Sequence, residues 1–334
     1  MNLKTLPKVE LHCHLDGILD TGMVRDICQA DPEFPIQPGE LEQAYPIDDV
    51  ESFFRWWDYI DPIQGRLACF YPILGRYIER LKAQNVRYSE IMITTGDFPR
   101  DTGKAVEEVA ALREWVTAQE AGDVQVEFLA ALGRHKSPQA IECLAESVLA
   151  LHTHGLIVGV ALVGPEPGNP VKPLHKTFAR FHQAGLGIEI HAGEWCGPES
   201  IRDALAYGYP DRIGHGISLF QDPGLIEQFL ERQIHVELCP TSNLKTGSIS
   251  AIEEHPVGEA RALGLNFSIN TDDPGPFECS MESEYELLSS VFRFDANDFQ
   301  RIYHNSLGAR FQPELRIPSS SPGEEYAKLY QRGR

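Results

Sequence analysis

Cysteine is scarce in this chain and shows no pairing pattern. The seven, at positions 13, 28, 69, 143, 196, 239 and 279, are odd in number, and no C-x-x-C occurs. That argues against a disulfide framework or a Cys-rich zinc knuckle and fits a reducing compartment. Long apolar runs are missing as well. Nowhere do ~18 apolar residues follow one another, so no membrane helix is expected. The opening MNLKTLPKVE lacks the apolar stretch of a secretory signal, which makes a cytoplasmic location the expectation. Basic residues are few: 29 Lys and Arg stand against 49 Asp and Glu, a net charge of -20. Nucleic-acid binding relies on clustered Lys and Arg, so a duplex partner is disfavoured, whereas a small uncharged ligand is not. No sequence repeat, low-complexity tract or flexible interdomain linker stands out, and nothing indicates the oligomeric state.

What the chain does have is a repeat of pattern. Apolar residues make up 42% of 334, enough for a large core. Short β-branched runs fall at 9–15, 87–94, 125–132, 156–164, 187–193, 211–216, 235–240 and 266–273. Amphipathic stretches lie between them, such as 102–122 and 137–155; the latter opens on Ser137-Pro138 and closes at Gly155. Strands alternating with helices imply a parallel sheet. Eight of them in one chain predict an α/β fold, a (β/α)8 TIM barrel spanning 1–334 as one domain. One connection is anomalous: about seventy residues separate the first two strands. A helical insertion is expected over 30–85, with a Pro-rich loop at 31–40 and an aromatic helix, DDVESFFRWWDYI, at 48–60. It is either a lid over a site or a helix packing its aromatic face on the barrel. Residues 318–334 read as a C-terminal extension.

The stretch VELHCHL (9–15) holds two histidines two residues apart on an expected strand, so His12 and His14 share a face and Cys13 takes the other. HTHG at 152–155 has the same spacing. There the pair ends a helical pattern, where i and i+2 lie ~200° apart, so His152 and His154 read as structural or solvated. Other chemistry-bearing residues gather where strands give way to loops: HAGE at 191–194, GHG at 214–216 and TDDP at 271–274. In barrels that C-terminal face carries the chemistry. Four histidines, one glutamate and two aspartates at strand ends suit a metal centre. Three imidazoles and one carboxylate make a plausible shell for Zn²⁺ with one position open to water, and the ion lowers that water's pKa towards neutrality. The remaining Glu, His and Asp can serve as acid and base.

These stretches together resemble the adenosine deaminase family. PKVELHCHLDG (7–17), VGVALVGPE (158–166), HAGE, IGHG (213–216), CPTSN (239–243) and NTDDP (270–274) carry the likeness, in order, over nearly the whole chain. The resemblance implies one zinc ion held by His12, His14, His191 and Asp272. It makes Glu194 the proton shuttle to the purine N1, and gives His215 and Asp273 the orientation and deprotonation of the metal-bound water. Gly164 would offer its N–H to the purine N3, Asp16 would meet the ribose 5′-hydroxyl, and His14 and Asp273 would also face the substrate. Val50, Phe53, Phe54 and Trp57 would cover the ribose side. The H-x-E and P-C-x-x-C pattern of the base-flipping zinc deaminases does not occur. Strand four ends in Val163-Gly164 and not in the lysine of two-metal relatives, which favours a single metal. Ala161 stands where the family carries an acidic residue.

The implied activity is zinc-dependent hydrolytic deamination of adenosine or 2′-deoxyadenosine to the inosine product and ammonia, a metal-bound hydroxide attacking purine C6. Asp16 favours a nucleoside, since relatives acting on the free base often carry Glu there. Two alternatives stay open. One keeps the chemistry on adenine, an N6-substituted adenine or 6-aminodeoxyfutalosine. The other is a non-catalytic nucleoside- or zinc-binding protein on the same fold.

Overall fold

A computed structural model describes residues 2–312 and residue 314. Eight parallel strands run in chain order: β1 (Lys8–His14), β2 (Val86–Thr94), β3 (Gln125–Gly133), β4 (Gly159–Val163), β5 (Gly187–Ala192), β6 (Arg212–His215), β7 (His235–Leu238) and β8 (Phe267–Ile269). Each pairs with the next, and helices fill the crossovers, so the expected α/β barrel is the observed fold. The seam between β8 and β1 closes past the last strand. The Asp272 N–H donates to the His12 carbonyl (3.1 Å), the His14 N–H donates to the Asp272 carbonyl (2.9 Å), and the Leu11 N–H donates to Asn270 Oδ1 (2.9 Å).

Local signals set the helix limits. Asp49 caps the helix Val50–Ile60 in a capping box with Ser52. Ser137 accepts from the Ala140 N–H and starts Pro138–Thr153. Gly155, at φ +67°, turns the chain out of that helix, which delays β4 to Gly159, although the apolar run begins at 156. β8 is likewise shorter than the run 266–273: its ladder ends at Ile269, and Asp272, at φ +64°, makes only an isolated parallel bridge to Cys13.

Between β1 and β2 the chain forms helices Thr21–Ala30, Pro38–Leu41, Val50–Ile60 and Phe70–Ala83. The last is the barrel's own crossover helix: Tyr77 from it reaches Cys13 and Glu10 of β1. The extension expected over 318–334 lies outside the described residues.

The main core lies between the strands and the helical ring. A small second core fills the barrel's lower interior, where Met92, Leu129, Ala131 and Ala161 meet Phe311. Ala161 is fully buried there. Among the described residues no helix is long and apolar enough to cross a membrane.

One buried acid makes the fold pH-sensitive. Glu284, on Met281–Ser290, has its carboxyl pushed up to about 7 by burial, which hydrogen bonding from Thr241 only partly offsets. The unfolded chain ionises this group nearer its ordinary value of 4.5, so stability falls as pH rises from there through about 7. Glu284→Gln is expected to raise Tm by a few degrees at about pH 8 and far less at about pH 4.5. Thermal unfolding at the two pH values checks this; an equal shift at both contradicts it.

Candidate active site

β1 delivers His12 and His14 to the barrel interior, while Cys13 faces outward to the Tyr77 hydroxyl, 3.3 Å away. His191 comes from β5, and Asp272 from the turn after β8. The Nε2 atoms of His12 and His14 each lie 3.2 Å from Asp272 Oδ1. The ligand atoms of His12, His14, His191 and Asp272 all fall within 4.8 Å of one another, and all four residues are largely buried. His12 Nε2 has no hydrogen-bond partner in a site closed to solvent. An orphaned buried nitrogen is costly, and a cation at the centre removes that cost. The residues present therefore fit a divalent ion.

A layer of acids beneath fixes the rings. His12 Nδ1 donates to Glu237 Oε2 (2.8 Å), and His191 Nδ1 lies 3.0 Å from Glu189 Oε1. Each imidazole is then left with its Nε2 lone pair turned towards the cluster. Arg212 supplies the balancing charge, 2.6 Å from both Glu237 and Glu90. From above, Ser242 donates to Asp272 Oδ2 (2.7 Å), which leaves Oδ1 to the histidines. None of Glu189, Glu237, Arg212 or Ser242 is assigned a role by the sequence reading. Glu189 and Glu237 share an inward face with His191 and the strand ends above them, which is the signal that could have found them.

Glu194 follows β5 in a loop tied down by Glu166. The N–H groups of Gly193, Glu194, Trp195 and Cys196 all donate to that one carboxylate, at 2.6–3.2 Å. Burial, with Asp272 and Glu166 nearby, pushes the Glu194 carboxyl well above the usual range, so it keeps its proton. His215 Nε2 lies 3.5 Å from Glu194 Oε2 and 4.0 Å from Asp272 Oδ2. Burial lowers the His215 imidazole to about 3, so it is neutral. Its backbone sits at φ +60°, as Asp272's does at +64°; two strained residues meet in one site. Asp273 is buried, and its Oδ1 has no partner. Burial and the Asp272 charge raise its carboxyl well above the ordinary value. A Cβ on Gly17 would stand 1.8 Å from Asp273 Oδ1, so only glycine lets the β1 loop pass this carboxylate.

These groups open onto a cavity of about 510 Å³. His14, Asp16, Gly164, His191, Glu194, His215, Asp272 and Asp273 line it, as do Phe53, Phe54 and Trp57 from Val50–Ile60. His12 lies below, fully buried. Val50, one turn before Phe53, is half-buried and does not line the cavity. Trp56 of this helix is fully buried in the core, while Phe54 lines the cavity and lies against Trp195, ring centres 5.8 Å apart. Asp16 accepts from the Thr94 hydroxyl (2.8 Å) and hydrogen-bonds Asp97, whose carboxylate also takes the Gly65 N–H. Burial first, then Asp97, keeps Asp16 well above the carboxylate range. His152 and His154 end the helix Pro138–Thr153, away from this cavity.

Glu237→Gln keeps the shape under His12 and removes the charge. Metal affinity is expected to fall ~10-fold or more, read by competition with a chromophoric chelator. Unchanged affinity would show that the acid layer does not tune the site.

Comparison with known proteins agrees with this geometry. The family model described as adenosine deaminase matches residues 7–316. An adenine deaminase of Rhizobium leguminosarum bv. trifolii is 30% identical over 311 residues, covering 92% of this chain and 96% of that one. One from Agrobacterium fabrum is 30% identical, covering 92% and 95%. The crystal structure of adenine deaminase from Arthrobacter aurescens superposes with a TM-score of 0.83 at 27% identity, covering 98% and 99%. The match runs through every strand end that feeds the buried cluster, and the chain therefore belongs to the adenosine deaminase family and is a hydrolase that deaminates by cleaving a C–N bond.

Proposed function

We propose that the chain deaminates a 6-aminopurine at C6, with adenine as the leading substrate and one Zn²⁺ per chain. The observation that carries the chemistry is a buried Glu194, its carboxyl pushed up by burial, beside a three-histidine, one-aspartate cluster at the end of a cavity. Held by His12, His14, His191 and Asp272, the ion would activate water by lowering its pKa towards neutrality.

The chain's own groups then manage the protons. As the water oxygen bonds to C6, the ring loses aromaticity and N1 gains electron density. Glu194, neutral because it is buried, donates its proton to N1. Asp273, whose Oδ1 has no partner within the protein, is the acceptor for a proton from the water in this scheme. His215 is neutral and holds the oxygen side of the site. Asp273 passes the proton it took on to the amine, the C6–N bond breaks as the C6 hydroxyl returns a proton to Glu194, and ammonia leaves with a 6-oxopurine behind. Phe53, Phe54, Trp57 and Trp195 give the ring an apolar cover that excludes water. The Gly164 N–H, at the cavity wall, would meet N3.

Adenine takes the lead over the nucleoside because relatives at 29–30% identity over most of the chain carry that name. A nucleoside is the second reading. A cavity of about 510 Å³ is of the size that holds drug-like ligands, beyond what a bare purine fills. Asp16, at its wall, suits a sugar hydroxyl.

Two outcomes test this. Adenine, adenosine and 2′-deoxyadenosine, each followed by ammonia release and loss of the adenine absorbance band, should give turnover with adenine fastest; no turnover on any 6-aminopurine contradicts the chemistry. Glu194→Gln should lower kcat ~10²–10⁴-fold at unchanged metal content. Near wild-type turnover would remove Glu194 from the mechanism.

A further inference from the structure

His215 is joined to a chain of buried side chains that leads away from the cavity. Its Nδ1 lies 3.2 Å from Asn243 Nδ2, Asn243 Oδ1 lies 3.3 Å from His255 Nε2, and His255 Nδ1 lies 3.1 Å from the Val257 backbone nitrogen. Asn243 and His255 are fully enclosed, at 0% and 2% exposure. Neither touches the cavity.

The direction of this chain follows from its far end. Val257 is the first residue of the helix Val257–Leu263, and Pro256 before it has no N–H. The Val257 N–H can only donate, so His255 Nδ1 must accept with its lone pair. The His255 proton then sits on Nε2 and points at Asn243, whose oxygen must be the atom facing it. The opposite amide rotamer would set two donors against each other. Asn243 therefore turns its NH₂ to His215, and His215 Nδ1 accepts. The one remaining ring proton of His215 is on Nε2, directed towards Glu194 Oε2 and Asp272 Oδ2. Burial supports the same state by lowering His255 to about 3, so that it stays singly protonated.

We infer that Asn243 and His255 are positioning residues that lock His215 in its Nε2–H tautomer, so that His215 meets the reacting oxygen as a hydrogen-bond donor and not as the group that takes the water's proton. The inference rests on the deaminase reading only for what His215 faces; the tautomer itself is a property of the resting protein. It also explains adjacent residues in CPTSN: Ser242 orients Asp272, and Asn243 orients His215.

The test uses metal-loaded protein labelled with ¹⁵N-histidine, with the His215 signals identified by their loss in His215→Gln. Long-range ¹H–¹⁵N correlation should show Nε2 protonated and Nδ1 bare. Asn243→Asp replaces the donor by an acceptor of the same shape. It should move the proton to Nδ1 and lower kcat ~10²-fold with KM little changed. His255→Gln, which can still donate to Asn243 and accept from Val257, should keep the wild-type tautomer and most of kcat, whereas His255→Leu should lose both. A wild-type spectrum with Nδ1 protonated overturns the inference even if every variant fails to fold. An Asn243→Asp protein with unchanged tautomer and kcat overturns it as well. Both spectra read independently of which purine, or whether any purine, is turned over.

Discussion

The site depends on where one carboxylate is held. Asp272 Oδ1 lies 3.2 Å from the Nε2 of both His12 and His14, and the same residue's backbone closes the barrel by bonding to the His12 carbonyl and the His14 N–H. Closure of the sheet and assembly of the ligand set are one event. Asp272 takes a left-handed backbone in the turn after β8, with its side chain among the histidines. Strain at this point is compensated by the seam hydrogen bonds, by Ser242 and by the charge the cluster is built to hold.

From that centre the barrel interior is layered. At the mouth are the titratable groups Glu194, His215 and Asp273. Next comes the ligand cluster, then the acids Glu189 and Glu237 with Arg212, and at the bottom a small apolar plug around Phe311. Arg212 belongs to two layers: its guanidinium pairs with Glu90 and Glu237 and lies 3.5 Å over the Phe311 ring. So many buried charges are costly singly, and they persist because each meets an opposite charge or a donor. The cluster stands on the strand ends, while the aromatic helix and the Asp16–Asp97 pair at the cavity wall sit on the insertion and strand-end loops.

Much of this was legible in the chain. Short β-branched runs marked all eight strands, and the coincidence of His, Glu and Asp at their ends marked the site. The HTHG control separated correctly from VELHCHL because helix and strand place i and i+2 differently, and the structure has His152 and His154 at a helix end. Strand limits at β4 and β8 were less legible: the runs begin at 156 and end at 273, while the ladders span only Gly159–Val163 and Phe267–Ile269. The supporting residues were hidden for another reason. Glu166, Asp97 and Asn243 act across 27, 32 and 28 residues of sequence, and His255 reaches Asn243 across 12, so no local pattern announces them. Glu166 in particular reads as one loop acid, yet it gathers four backbone N–H groups of the loop carrying Glu194.

The most direct test of the convergent site is crystallographic: anomalous diffraction from the zinc-loaded protein, recorded on both sides of the metal edge. The account expects one strong peak per chain, at ~2.0–2.2 Å from ligand atoms of His12, His14, His191 and Asp272. A peak lying instead among His12, Glu189 and Glu237, or no peak at all in catalytically active crystals, would contradict it.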